Sequence, residues 1–173
     1  MRVIMVEVLA VMDKSGLVCG VFILALTFGI GSCHSDPSDS QNSSAHKVDG
    51  PSVEIIATET PVLVKVEVAR TPEQKQRGLM YRKRLDEDAG MLFIAPYERR
   101  QRFWMKNTFI PLDLIFIGAE FRIKGMIQDA RPESEKMLFI DSPSKYVLEV
   151  NAGFCRRHGV KEGQKVKIRG IEE

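Results

Sequence analysis

Phe103-Trp104-Met105-Lys106-Asn107-Thr108, continuing past Pro111 into Leu112-Asp113-Leu114-Ile115-Phe116-Ile117, is the stretch on which the fold turns. Its first half holds the only tryptophan and passes at once into a cation, an amide and a hydroxyl. Aromatic bodies bury well and anchor cores and pockets, so polar groups directly after them stand at the rim of an apolar surface. Its second half is an apolar run broken by one carboxylate. Followed by Gly118 and a second run over 121–127, it predicts an antiparallel hairpin. An unpaired carboxylate inside a strand is costly. Asp113 is therefore expected to have a partner, with Lys106 or an arginine the natural candidate.

Working outward, the same reading gives further short elements. Upstream, strands are expected over 53–56, 62–68 and 90–94, the second with Val62, Val64, Val66 and Val68 on one face and the third closed by Pro96. Thr71-Pro72-Glu73-Gln74 is a helix start, with Thr as cap, Pro at the first position and Gln at the third, and Gly78 is placed to end that helix. Downstream, strands are expected over 137–140, 146–150 and 166–169. Asn151 is read as the cap of a short helix over 152–158 that Gly159 ends. Many short strands with two short helices imply a mainly β (α+β) fold, a compact antiparallel sandwich or barrel-like domain.

Composition narrows the function classes. The 173 residues allow one domain plus extras, and a net charge of +2 with 28% charged residues lacks the basic stripe that nucleic acid requires. Three cysteines and three histidines, with only His158 inside the domain, give no disulfide framework and no four-ligand zinc site. No metal and no cofactor is expected. Met80, Met91, Met105, Met126 and Met137 are spread over separate strands as core fillers, although thioethers could also select Cu(I).

The N-terminal segment reads differently. Leu-Val-Cys-Gly-Val-Phe-Ile-Leu-Ala-Leu-Thr-Phe-Gly-Ile-Gly-Ser-Cys, residues 17–33, follows Lys14 and ends in small residues, as a secretory signal does; Met12 is an alternative start. Ile30-Gly31-Ser32-Cys33 resembles a bacterial lipobox. The expectation is a lipoprotein signal over 1–32, a lipidated Cys33 leading a polar tether over 33–52, and a folded domain over 53–173. An uncleaved membrane anchor is the alternative reading. His34 follows Cys33 where an aspartate would signal inner-membrane retention, so the expected location is the outer membrane, facing the periplasm. Acyl chains contribute about 0.8 kcal/mol per buried methylene, enough for several chains to hold a protein on a bilayer.

Five ordered blocks resemble the DUF192 family, also called UPF0127: Arg77-Gly78-Leu79-Met80, Gly90-Met91-Leu92-Phe93, Phe103 to Thr108, Pro111-Leu112-Asp113, and Val147-Leu148-Glu149 with Asn151-Ala152-Gly153. The resemblance implies a compact, mainly β domain, often behind a secretion signal, and supplies no function. Gly163-Gln164 departs from the Gly-Asp usual near the family's C-terminus.

The residues themselves favour a binding module. Arg77, Lys106 and Asn107 offer donors, Trp104 a flat apolar wall, and Asp113 and Glu149 carboxylates to orient the cations. The arginine fork suits a small anionic ligand. The plainer alternative is that Arg77 pairs with Asp113 or Glu149 and locks the helix to the sheet. An enzyme is a third reading, with Asp113 and Glu149 as an acid–base pair, although no nucleophile beside a base is visible. Cys155 could be activated by Arg156 and Arg157, or be a small buried hydrophobe. A structural, protein-partner lipoprotein is a fourth, and the sequence names no protein partner.

Overall fold

The computed structural model describes residues 50–56 and 60–171. The signal expected over 1–32, Cys33 and the tether up to residue 49 lie outside the described residues.

Seven strands form one sheet: β1 (Ser52–Ile56), β2 (Val62–Ala69), β3 (Ala89–Arg99), β4 (Leu112–Ile117), β5 (Ile123–Ala130), β6 (Ser144–Asn151) and β7 (Lys165–Arg169), in the order β5-β4-β6-β3-β2-β1-β7. Two short helices complete it, α1 (Pro72–Arg77) and α2 (Phe154–Arg157). The fold is mainly β, a curled sheet that forms a half-barrel. Its two outer strands meet at one end, where Ile123 N donates to Gln164 O at 3.0 Å and Val166 N to Phe121 O at 2.8 Å. The curl brings Val53 of β1, Val166 of β7 and Ile123 of β5 into one inner core with Leu148 and Val150, sealed by Phe154 and Val160. A second core covers the outer face. There Leu79, Met105 and Ile110 pack on Met91, Phe93, Leu112, Leu114, Phe116 and Val147. All six residues of β4 are buried because both of its faces are covered.

Local chemistry explains most elements. Along β2, Val64 and Val66 are buried, with Val62 and Val68 packed against them, and Lys65 and Glu67 face out. The β-branched side chains suit this pleated, half-buried surface. Helix α1 is six residues long and buries none of them, far too short to stand by itself. A complete capping box holds its start, with Gln74 N donating to Thr71 Oγ1 at 3.2 Å and Thr71 N to Gln74 Oε1 at 3.0 Å. Gly78 ends it at φ +45°, and a Cβ there would lie 3.2 Å from the Phe93 ring. The β4–β5 hairpin forms as the sequence predicts.

Four details differ from the sequence reading. Strands β2 and β3 run parallel, joined by the α1 crossover, while the other pairs are antiparallel. Pro96 does not close β3, which continues to Arg99. The β3–β6 ladder shifts register between Ile94 and Arg99, so the proline's missing N–H falls in an irregular part of the ladder. Residues 137–140 contribute a single bridge, Leu138 with Phe103, since two mutual bonds of 2.8 Å are all that this segment makes with the 103 segment. Asn151 does not cap α2. Gly153 occupies the cap at φ +78°, and the Asn151 amide donates instead to Leu85 O and Asp86 O, each at 3.0 Å.

Candidate functional site

The Phe103–Thr108 stretch alternates about the protein surface. Met105 is buried in the outer core, while Trp104 remains 41% exposed and Lys106 lies beside it, its ammonium 5.5 Å from the indole centroid. Thr108 N donates to Met105 O at 3.0 Å, turning the chain so that Asn107 takes a left-handed φ of +56°. Across from it, the chain leaving α1 places Tyr81 at φ +64°. Non-glycine residues in this region are uncommon and need surrounding contacts to hold them. Here the contacts are mutual: Tyr81 N donates to Asn107 O at 2.8 Å, and Asn107 Nδ2 donates to Tyr81 OH at 3.0 Å.

These two segments enclose a groove of about 560 Å³ lined by Glu73, Gln76, Arg77, Met80, Tyr81, Trp104, Lys106 and Asn107. Four of the six expected site residues, Arg77, Trp104, Lys106 and Asn107, therefore meet around one cavity. A second hollow of about 360 Å³ adjoins it through Arg77, Met80 and Tyr81 and reaches Met91. The cations are not equivalent. Arg82 grips Glu67 with two bonds of 2.6 Å, and this bond holds the Glu67 carboxyl below its ordinary range. Lys106 reaches Glu135 at 3.2 Å. Arg77 has no carboxylate within ion-pair distance among the described residues, so its fork is available to a ligand. The arrangement does not lock α1 to Asp113 or Glu149, as the pairing alternative required.

Asp113 and Glu149 stand apart from the groove. Asp113 is fully buried, and its partners are backbone amides: Asp129 N and Cys155 N, each donating at 2.9 Å. The expected cation, Lys106, is engaged elsewhere because Asp113 points from β4 to the inner face, towards α2. Burial first, and the Asp113 charge second, push the Cys155 thiol far above its ordinary range. The electropositive setting that Arg156 and Arg157 suggested does not reach its sulfur. Cys155 is a buried thiol, not an activated one.

Glu149 lies on the other face. In register it sits between Met91 of β3 and Leu114 of β4, both members of the outer core. It is 5% exposed, and its carboxyl makes no hydrogen bond or ion pair among the described residues. Burial pushes its pKa up to about 8. The two carboxylates thus project from opposite faces of the sheet and cannot act on one bond as an acid–base pair. The register separates them, since Asp113 and Leu114 alternate along β4 and Leu114 is the partner of Glu149 on β6. Tyr81 and Gln76 also line the groove, with adjacency to Arg77 as their only sequence signal, and Met80, expected as a core filler, is half-buried at its wall. Gln164, where the family pattern has aspartate, clamps its own turn, accepting from Lys161 N at 2.9 Å and donating to Gly159 O at 3.2 Å.

A curled seven-strand sheet with this groove on its outer side defines a β domain with a surface cleft. Residues 54–168 match the DUF192 family model, described as Uncharacterized ACR, and the chain belongs to that family. Solved structures similar to it include the following two. A protein of unknown function from Novosphingobium aromaticivorans DSM 12444 is 37% identical with a TM-score of 0.65, covering 67% of this chain and 83% of its own. A protein from Sinorhizobium meliloti 1021, provisionally named a transcription regulator, is 37% identical with a TM-score of 0.67, covering 70% and 96%. No curated protein matches the chain.

Proposed function

We propose that the chain is a lipid-anchored protein of the bacterial envelope, held at the outer membrane and facing the periplasm, whose DUF192 domain binds a small anionic ligand. The observation that carries the binding reading is the meeting of Arg77, Trp104, Lys106 and Asn107 around one groove, with no carboxylate at ion-pair distance from the Arg77 guanidinium among the described residues. An apolar wall with a few convergent polar groups is the usual form of a small-ligand site. Trp104 supplies the wall, Asn107 an oriented amide and Arg77 the planar fork. The anchor rests on residues 17–33 and Cys33.

A thermal-shift screen of the full chain against carboxylated metabolites, sugar acids, phosphates and peptidoglycan fragments tests the binding reading. A ligand that binds only the folded state at about 100 times its Kd stabilises by about 2.7 kcal/mol. The expected result is a saturable rise in Tm with an anion that disappears in both Trp104→Ala and Arg77→Ala. A hit unaffected by both variants, or silence across the library, defeats the ligand reading. The anchor is tested separately: Cys33→Ser should release the chain from membranes or leave it unprocessed, and an unchanged N-terminal mass and membrane fraction would defeat it.

A further inference from the structure

The inner face of the half-barrel has a second opening that shares no lining residue with the groove. It is a pocket of about 420 Å³ where the β3–β6 ladder loses register after Ile94, bounded on the far side by β7 and the chain entering β5. Its walls are Ile94, Pro96, Phe121, Tyr146, Ile168 and Ile171. Ile94, Ile168 and Ile171 pack on the inner core yet remain only partly buried, so the pocket is an open continuation of that core.

Phe121 shapes the mouth. Its backbone sits at φ +58° and is tied at both ends, its N–H donating to Gly118 O at 3.0 Å and its carbonyl accepting from Val166 N at 2.8 Å. That posture stacks its ring on Tyr146, with centroids 5.6 Å apart and planes 20° from parallel, and still leaves Phe121 42% exposed. Among the described residues, the charged groups of the lining are Lys145 and Arg70, both cationic. The Lys145 ammonium lies 5.4 Å from the Tyr146 ring and has no carboxylate within ion-pair distance among the described residues.

We propose that this pocket binds a free single-chain amphiphile with a carboxylate head, a medium-length fatty acid. The hydrocarbon would lie against Ile94, Ile168, Ile171 and the Phe121–Tyr146 pair, with the carboxylate at Lys145. Five of the side chains that line it are large and apolar and, among the described residues, none beyond the Tyr146 phenol is an acceptor, while burial of methylenes contributes about 0.8 kcal/mol each. The volume falls at the lower end of small-ligand pockets, roughly 300–1,000 Å³, which suits one chain better than the paired chains of a bilayer lipid. Mouths of β-barrels are a common place for such sites.

Equilibrium dialysis of radiolabelled decanoate against the purified full chain, with protein-free detergent as the blank, tests this. Decyltrimethylammonium carries the same chain with the opposite head, and acetate the head without the chain. The expected result is one decanoate per protein, with at least tenfold weaker binding in Lys145→Glu and in Ile168→Ser and unchanged binding in Trp104→Ala. Neither comparator should saturate. Phe121→Gly guards against misfolding, because glycine adopts the positive φ without strain while removing one wall. That variant should keep its Tm and still bind decanoate more weakly. Equal binding of the cationic amphiphile would overturn the proposal. So would the absence of saturable decanoate binding, full affinity in both Phe121→Gly and Ile168→Ser, or loss in Trp104→Ala alone.

Discussion

Asp113 and Glu149 lie one register step apart on neighbouring strands, and the protein buries the two carboxylates in different ways. Asp113 faces the inner core and accepts two backbone N–H groups, one from the β5 strand and one from α2. It ties a four-residue helix, too short to persist unaided, to the sheet. Glu149 faces the outer core between Met91 and Leu114, receives no such donors, and is kept neutral at ordinary pH by desolvation. Burial of a carboxyl therefore says little about its role. The donors that surround it decide whether it is a strut or a proton-bearing hydrophobe.

The largest effect that would sharpen this contrast is at Asp113. In Asp113→Asn one of the two amide donors would face an NH₂ group, and a buried donor left unsatisfied costs about 1–3 kcal/mol. We expect a loss of about 2–4 kcal/mol in urea unfolding. A loss below about 0.5 kcal/mol would mean that the two bonds do not hold α2.

Next comes Glu149, through pH. Its folded pKa is raised from 4.5 to about 8, so between these values the unfolded chain has released a proton that the folded chain retains. Its contribution to stability is whole below about pH 4.5 and is lost as pH rises through about 8, with a slope on the order of 1 kcal/mol per unit. Glu149→Gln should flatten this decline, becoming the more stable protein above neutrality. Parallel stability curves for the two proteins from pH 5 to 8 would show that Glu149 is ionised in the fold.

The smallest effect calibrates both. Thr71→Ala removes an exposed cap remote from either carboxylate and should cost about 1 kcal/mol with no pH dependence in the same window. A much larger loss would indicate that the groove beside α1 depends on the capping box as strongly as α2 depends on Asp113.

Legibility in the sequence followed the range of the interactions. The capping box at Thr71–Gln74, the valine alternation of β2 and the hairpin through Gly118 are decided within a few residues, and all three were readable. The 137–140 strand and the Asn151 cap were misplaced because each depends on remote groups. Leu138 finds Phe103, and the Asn151 amide finds the carbonyls of Leu85 and Asp86. The candidate groove was half legible: its donors were visible as residue types, but Tyr81 and the mutual bonds with Asn107 join positions 26 apart.

By itself the sequence determined a mainly β domain with two short helices, because side-chain period, turn residues and caps act locally. Tertiary structure alone decided the parallel β2–β3 pair, the curl that joins Phe121 to Val166, and the separation of Asp113 from Glu149 onto opposite faces. Those outcomes depend on which surfaces meet after the chain folds back, and hydrophobic burial is non-directional. Only the finished packing determines which donors reach a buried carboxylate.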